Sequence, residues 1–213
     1  MKYLFFSIIG YLSGCVMYGF WIPKLFKGVD VCALSDDGNP GTANAFKYGG
    51  FFAGSCTVVA DVLKGFFPVW LALRYVDVAD PFLIPIVLAP VLGHAFPLFG
   101  RTKGGKSIAV SFGVLVAFFP DIMYVFLLAA FFIFFSLIFV IEPHIYRSIF
   151  TYVCFCISEF VLCSNWVMHV CCILISLIVI FKHLIKYHGE RLSVHFLFLG
   201  KTGAGKKKEA DIR

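Results

Sequence analysis

The chain has 213 residues, of which 61% are hydrophobic and only 14% are charged, and its formal net charge is +6. Because a soluble domain has about 25% charged residues, these values exclude a globule that folds in water. Most of the surface must face lipid, so the sequence predicts an integral membrane protein. The expected fold class is all-α, a polytopic membrane helix bundle with about seven transmembrane helices.

Apolar segments follow one another along the chain, and polar breaks separate the later ones because proline stops a helix and charge stays out of hydrocarbon. They are residues 3–26, 48–75, 82–99, 108–119, 122–141, 145–162 and 167–181. At about 1.5 Å per residue the first is long enough to span a bilayer, and we expect it to be retained rather than cleaved as a signal peptide. The fourth is too short for an upright crossing. A five-span arrangement with two shallow segments is the alternative.

Lysine and arginine are distributed unevenly among the connecting loops. With the N-terminus outside, the outer loops keep only Lys2 and Arg74, and the other loop cations fall on the cytoplasmic side. We therefore predict an outer N-terminus and a cytoplasmic C-terminus. Residues 1–199 are expected to form a single transmembrane domain, and residues 200–213 a basic, disordered cytoplasmic tail. The tail has Walker-A spacing of glycines and lysine, but no Ser or Thr follows that lysine, so we predict no nucleotide site.

Residues 36–50 form the longest polar interval between the first two apolar segments. Glycine and asparagine accept positive φ and proline fixes φ, so the Gly-Asn-Pro-Gly run at 38–41 indicates a shaped turn rather than a flexible linker. Glycine amides approach anions closely, and lysine supplies a point charge for phosphate. The candidate phosphate-binding residues are Gly38, Asn39, Gly41, Asn44 and Lys47. A tight connector between two helices is the alternative.

A second glycine-rich interval lies between the third and fourth apolar segments. Its cations and Gly-Gly pair immediately precede a predicted helix, whose N-terminus offers unpaired N–H groups and the positive end of the dipole. We therefore predict a second anion site, with the candidate residues His94, Lys103, Gly104, Gly105 and Lys106. A positive-inside topology signal is the alternative for the lysines, and a core histidine is the alternative for His94.

Three further features concern ionisable or reactive side chains near the membrane. Asp61 and Lys64 are three residues apart and share a helix face, which predicts either a structural ion pair or the polar wall of a site. The basic residues 182–192 either attract anionic lipid or extend the site. The eight cysteines lie mostly in apolar runs without Cys-x-x-Cys spacing, so they indicate apolar packing and no metal site.

In this order the motifs resemble those of the PlsY family, bacterial membrane glycerol-3-phosphate acyltransferases that use acyl-phosphate as the acyl donor. The likeness covers roughly residues 10–200 and includes the seven-span layout. The first family motif is similar to the run at 38–41. The second is similar to residues 93–99 followed by Lys-Gly-Gly-Lys at 103–106. The third survives mainly as His183.

The resemblance implies that the 1-hydroxyl of glycerol-3-phosphate attacks acyl-phosphate, giving lysophosphatidic acid and phosphate in the first step of phospholipid synthesis. It implies catalytic roles for His94, Lys106 and His183, while the remaining loop residues hold substrate phosphates. No cofactor and no metal are expected. The expected partners are glycerol-3-phosphate, acyl-phosphate and membrane lipids, with no nucleic acid. The expected location is the bacterial plasma membrane, with the active face cytoplasmic.

The chain departs from the family pattern within these motifs. Asp36 and Asp37 stand where the family has Gly-Ser, and Lys47 stands where the first motif closes with arginine. Ser107 replaces a family glycine after Lys106, and the residues after His183 lack the family asparagine. Two alternatives to an acyltransferase therefore remain. One is a non-catalytic relative that binds lipid or phosphate, and the other is a small transporter with an interrupted helix.

Overall fold

The computed structural model describes residues 1–99, 102–185, 187, 189 and 191–196. These form a bundle of helices with one small sheet, and the prediction of a helical membrane bundle is confirmed. The helices are α1 Lys2–Cys15, α2 Tyr18–Lys27, α3 Val31–Leu34, α4 Thr42–Asn44, α5 Gly50–Ala72, α6 Leu83–Ala95, α7 Ile108–Val116, α8 Met123–Ile133, α9 His144–Leu162 and α10 Trp166–Leu184. Ala45–Gly49 and Phe134–Ile138 are π-helical, and the strands are β1 Phe139–Glu142 and β2 Ser193–Phe196. The predicted tail at 200–213 lies outside the described residues.

Three helical segments in the described part of the chain are long and apolar enough to cross a bilayer: Thr42–Ala72, His144–Leu162 and Trp166–Leu184. The pair α1 and α2, bent by 40° at a short break, makes a fourth if it is counted as one span. Leu83–Ala95 and Met123–Ile138 are apolar but shorter. Every predicted apolar segment therefore contains a helix, while the number of seven crossings and the orientation of the termini stay predictions.

The first apolar segment is two helices rather than the single helix expected. The chain is extended at Val16, and the carbonyl that the break leaves without a helical partner accepts a hydrogen bond from Lys64 Nζ at 2.6 Å. One turn earlier, Ser13 Oγ donates to the Lys64 carbonyl at 2.9 Å. The polar groups of α5 thus satisfy the break, which explains why a uniformly apolar run can be interrupted here.

Small residues let the helices pack backbone to backbone. A Cβ at Gly14 or Gly93 would collide with main-chain atoms of the facing helix, so α1 and α6 approach each other closely at these two points. The same holds for α5 and α7, where a Cβ at Gly65 would lie 2.5 Å from the Val110 carbonyl oxygen. Fully buried side chains from five helices fill the core: Leu83, Leu115, Leu128, Tyr152 and Ile175.

The small sheet is the part of the fold that the sequence did not predict. The fifth apolar segment was expected to continue as helix to residue 141, but the helical part ends at Ile138 and the chain becomes β1. β1 pairs antiparallel with β2, with Phe139 opposite Phe196 and their ring centroids 4.8 Å apart. Aromatic and β-branched residues favour a pleated strand, and Pro143 follows directly, which explains why the helix does not continue.

Candidate active site

The loop between α3 and α4 is folded around the side chain of Asp37. Its Oδ1 accepts hydrogen bonds from the Asn39 N–H at 3.1 Å and from Asn44 Nδ2 at 2.9 Å. Asn44 Nδ2 also donates to the Asn39 carbonyl at 2.8 Å. Gly38 has a positive φ of 57°, which suits glycine at this turn. The interval is therefore shaped backbone, as predicted, although a carboxylate, and not only its glycines, sets the shape.

The same loop buries one amide side chain under α2. Asn39 is only 6% exposed, and in the described part of the chain its Oδ1 has no hydrogen-bond partner. A Cβ at Gly19 would collide with the Pro40 carbonyl, and one at Gly41 would lie 2.6 Å from Asn39 Nδ2. Gly19 of α2 thus allows close packing against Pro40, and Gly41 of the motif leaves room for the Asn39 side chain. A buried acceptor without a donor is costly, so a ligand hydroxyl is a fitting partner for it.

The second predicted loop meets the first through an ion pair. Lys106 Nζ lies 3.0 Å from Asp37 Oδ2, and the two side chains are 23% and 27% exposed, respectively. Lys47 and Lys103 are exposed, and Lys47 Nζ lies 4.9 Å from the centroid of the Tyr48 ring. Lys106 of the second loop is thus held by a carboxylate of the first, while the phosphate-binding roles of Lys47 and Lys103 stay predictions.

The pKa of Asp37 is lowered from its usual value. Partial burial alone would raise it, but the hydrogen bond from Lys106, the hydrogen bond from Asn44, the Lys106 charge and the Asn39 N–H together outweigh burial. The carboxylate is therefore ionised throughout the neutral range, so it acts on Lys106 as a fixed negative charge.

The Gly-Gly pair packs against the end of α6 rather than forming an open cradle. Gly104 has a φ of 79°, and a Cβ there would collide with the Ala95 carbonyl. A Cβ at Gly105 would collide with the His94 imidazole ring, and the Gly105 N–H donates to the His94 carbonyl at 2.9 Å. This amide is engaged within the protein, so the predicted role of Gly105 as a phosphate donor is not what its geometry favours.

His94 and the predicted ion pair of α5 form one buried network. Lys64 Nζ lies 2.8 Å from Asp61 Oδ1, 2.8 Å from His94 Nδ1 and 2.6 Å from the Val16 carbonyl. The three side chains are between 1% and 5% exposed. Because the ammonium group donates, Nδ1 of His94 accepts and its proton lies on Nε2. The pair is thus structural and fixes the orientation of His94.

The end of α10 brings His183 to the same end of the bundle. His183 is 2% exposed, and its Nδ1 is 2.8 Å from the Val179 carbonyl, to which it donates. Its ring lies parallel to that of His144, with centroids 5.5 Å apart and an interplanar angle of 2°. Lys182 Nζ donates to the Lys103 carbonyl at 3.1 Å and so ties α10 to the second loop. The sequence did not indicate a role for His144 or the contact of Lys182, and the only signal at Lys182 was its place in a basic run.

Two cavities lie beside this cluster. The polar one, of about 530 Å³, is lined by residues at the start of α9 and the start of β2, including His144, Arg147 and Arg191. The apolar one, of about 520 Å³, is a groove between α1 and α6 that includes Tyr11 and Leu92. The Tyr11 hydroxyl donates to the Phe96 carbonyl, close to the end of α6 that carries His94. An open, partly polar depression and an open apolar groove thus flank the same end of the bundle.

These features define a class of protein, an integral membrane helix bundle with a cationic, histidine-containing site at one end. The family described as glycerol-3-phosphate acyltransferase matches residues 4–188, and the chain belongs to that family. The chain is 40% identical over 116 residues to the glycerol-3-phosphate acyltransferase of Thermotoga petrophila, covering 54% of this chain and 58% of that protein. It is 38% identical over 137 residues to that of Streptococcus thermophilus, covering 62% and 60%. The matched part is thus less than two thirds of each relative.

Solved structures match over a larger share of the chain. The crystal structure of PlsY, an integral membrane glycerol 3-phosphate acyltransferase, in its glycerol 3-phosphate form superposes with a TM-score of 0.75 at 30% identity. The match covers 87% of this chain and 90% of that one. The lysophosphatidic acid form gives a TM-score of 0.73 at 30% identity, covering 86% and 88%. The predicted resemblance to the PlsY family is confirmed.

Proposed function

We propose that this protein transfers an acyl group from acyl-phosphate to the 1-hydroxyl of glycerol-3-phosphate, giving lysophosphatidic acid and inorganic phosphate. The observation that carries the proposal is the convergence of the two predicted loops, with Lys106 reaching Asp37 at 3.0 Å, in a chain of this family. The uneven distribution of loop cations supports a site on the cytoplasmic face of a bacterial plasma membrane.

Lys106 is the residue best placed to bind a phosphate group. Its ammonium already holds an anion, the Asp37 carboxylate, whose oxygen stands where a phosphate oxygen would bind. Lys47 and Lys103, which are exposed on the two loops, are proposed to add positive charge for the second phosphate. The buried Oδ1 of Asn39 is proposed to accept a hydrogen bond from a hydroxyl of glycerol-3-phosphate. This bond would satisfy Oδ1 and orient the glycerol-3-phosphate for acyl transfer.

The chemical step needs little more than positioning, because acyl-phosphate is already activated. The 1-hydroxyl oxygen forms a bond to the acyl carbon, the bond from that carbon to the phosphate oxygen breaks, and phosphate leaves with the electron pair. Lys106 stabilises the negative charge that develops on the leaving phosphate. The hydroxyl proton passes to a phosphate oxygen, since the lowered pKa of Asp37 makes that carboxylate a poor base.

We propose that His94 and His183 shape and position the site rather than transfer protons. His94 is held by Lys64 and packs against Gly105, so it supports the loop that carries Lys106. The Val179 carbonyl fixes the ring of His183, which stacks on His144 beside the polar cavity. We place the reacting groups between this stack and Lys106.

The acyl chain is proposed to lie in the groove between α1 and α6. Its lining is almost entirely apolar, and along α6 it extends from Ile84 to Leu92, two residues before His94, with Leu98 also lining it. If the acyl carbon reacts near the end of α6, the rest of the acyl chain would enter this groove directly. The lipid bilayer supplies the same apolar environment, so the substrate can enter sideways from the membrane.

The test uses the purified protein in detergent with palmitoyl-phosphate and glycerol-3-phosphate, and it measures inorganic phosphate and lysophosphatidic acid. We expect both products only when both substrates are present, and a loss of at least two orders of magnitude in Lys106→Ala. Release at the same rate in Lys106→Ala would overturn the assignment. Binding of glycerol-3-phosphate without any release would support the non-catalytic alternative instead.

A further inference from the structure

Asp37 connects three groups that a phosphate-binding site would otherwise offer to its ligand. Its two oxygens are bonded to the Lys106 ammonium at 3.0 Å, to Asn44 Nδ2 at 2.9 Å and to the Asn39 N–H at 3.1 Å. A cation, an amide and a backbone N–H are all donors, and together they make a suitable cradle for one oxyanion. In this chain the cradle already contains an anion of its own.

A resident carboxylate affects a phosphate ligand in two opposing ways. It holds Lys106 in place before the substrate arrives, which lowers the cost of ordering that side chain. It also competes with the phosphate for the same ammonium and repels it at short range. Both partners keep about a quarter of their side-chain surface exposed, so solvent weakens their attraction and exchange for a second anion is feasible.

We propose that Asp37 is a specificity-determining residue, a resident counter-ion that the phosphate group of an incoming substrate displaces from Lys106, and that it thereby weakens the affinity for that substrate. The inference deepens the proposed function and rests on it.

The contacts distinguish this role from general-base catalysis. A general base works best with a pKa near the working pH, whereas the Lys106 and Asn44 contacts lower the pKa of Asp37. Its Oδ2 is the atom held by Lys106 and its Oδ1 already accepts two hydrogen bonds. A substrate hydroxyl would have to compete with all three donors for the proton-accepting oxygen.

The informative variant is Asp37→Asn. Its side-chain oxygen can still accept from the Asn39 N–H and from Asn44, so the loop keeps its shape. The negative charge next to the Lys106 ammonium is lost. Asp37→Ser removes the charge and most of the side chain and restores the residue type of the family motif. Asp36→Asn is the matched control, because it removes a neighbouring charge from an exposed side chain.

The measurement is KM and kcat for glycerol-3-phosphate and for palmitoyl-phosphate at pH values from about 6 to 8. We expect Asp37→Asn to lower the KM of one substrate about fivefold with kcat changed less than about twofold, a modest effect suited to a partly exposed pair. The ratio of wild-type to variant KM should not depend on pH in this range, because the lowered pKa keeps Asp37 ionised. Asp36→Asn should change neither KM by more than about twofold.

A double-mutant cycle with Lys106→Ala supplies the decisive comparison. Equilibrium binding of inorganic phosphate and of glycerol-3-phosphate to the detergent-solubilised protein is measured by calorimetry for wild type, both single variants and the double variant. We expect Asp37→Asn to tighten binding about fivefold in the Lys106 background and by less than about twofold in the Lys106→Ala background, where only direct repulsion of the phosphate by the carboxylate is removed.

The outcomes separate this inference from the proposed function. If no form of the protein releases phosphate, the proposed function fails, while the binding cycle still decides the role of Asp37. The inference is overturned if Asp37→Asn weakens phosphate binding, or if its effect on binding is the same without Lys106. It is also overturned if Asp37→Asn lowers kcat more than tenfold and kcat no longer varies with pH. That last result would indicate a general base.

Discussion

Lys64 provides the sharpest test of how the bundle supports the site. Its ammonium is bonded to Asp61, to His94 and to the Val16 carbonyl, and its side chain is only 2% exposed. Lys64→Met keeps most of the length of the unbranched side chain but removes the charge. The variant would leave the Asp61 carboxylate buried without a cation, the Val16 carbonyl without a donor, and His94 without the group that orients it.

The size of the effect follows from the burial of the partners. Removing one partner of a buried ion pair costs about 3–5 kcal/mol, because an uncompensated charge remains. For a chain of this size, about 1 kcal/mol lowers the melting temperature by about 2–4 °C, so we expect a fall of about 6–20 °C. The double variant Asp61→Leu, Lys64→Met removes both charges, and most of the lost stability should return because the site becomes apolar.

The assay is thermal unfolding of Lys64→Met, Asp61→Leu and the double variant in one detergent, followed by intrinsic fluorescence, with phosphate release measured well below the melting temperature. The double variant should melt above Lys64→Met and still lose most of its activity, because His94 has lost its partner. Two results would refute the reasoning: a single variant that melts within about 2 °C of wild type, or single and double effects that add without coupling.

Three further predictions concern the loops and the groove. Gly105→Ala should reduce phosphate release about a hundredfold, since its Cβ would displace His94; activity near wild type would contradict this packing. Ser107 has a φ of 61°, and its hydroxyl donates to the Val91 carbonyl at 3.0 Å. Ser107→Gly loses this bond but relieves the backbone strain, so it should melt within a few degrees of wild type, whereas Ser107→Ala keeps the strain, loses the bond and should melt lower. The reverse order of melting temperatures would contradict the argument from φ. Leu12→Trp narrows the groove and should raise the KM of palmitoyl-phosphate more than that of octanoyl-phosphate. An equal effect on both donors would mean that the acyl chain does not lie in this groove.

The candidate site could be located from sequence because its chemistry depends on residue types at short spacing. The Gly-Asn-Pro-Gly run and the Lys-Gly-Gly-Lys run each lie in one polar interval, and hydropathy places both intervals between helices. The partner of each side chain was not predictable in this way. Asp37 meets Lys106, and Lys182 meets the Lys103 carbonyl, through the packing of helices that are distant in sequence.

The fold shows the same division between local and distant causes. Apolar runs predicted where helices occur, since lipid demands satisfied backbone groups within each segment. The break at Val16 was not predicted, because Gly14 and Gly19 on either side of it resemble the other glycines of this segment and the group that supports the break comes from Lys64 of another helix. β1 was equally hidden, because its partner strand lies beyond two further helices and the run from Phe139 to Ile141 is as apolar as the helix before it.

The glycine pair shows that composition alone does not tell what a glycine makes room for. Glycine is needed wherever backbone must approach something closely, and at Gly104 and Gly105 one such neighbour is the end of α6, while their phosphate-binding role stays a prediction. With the Gly105 amide bonded to the His94 carbonyl, the proposed binding of phosphate depends more on side-chain charge, and above all on Lys106. A site that depends on one ammonium group is strongly affected by a carboxylate placed 3.0 Å from it. The replacement at position 37 should therefore alter substrate affinity more than any other departure of this chain from its family pattern.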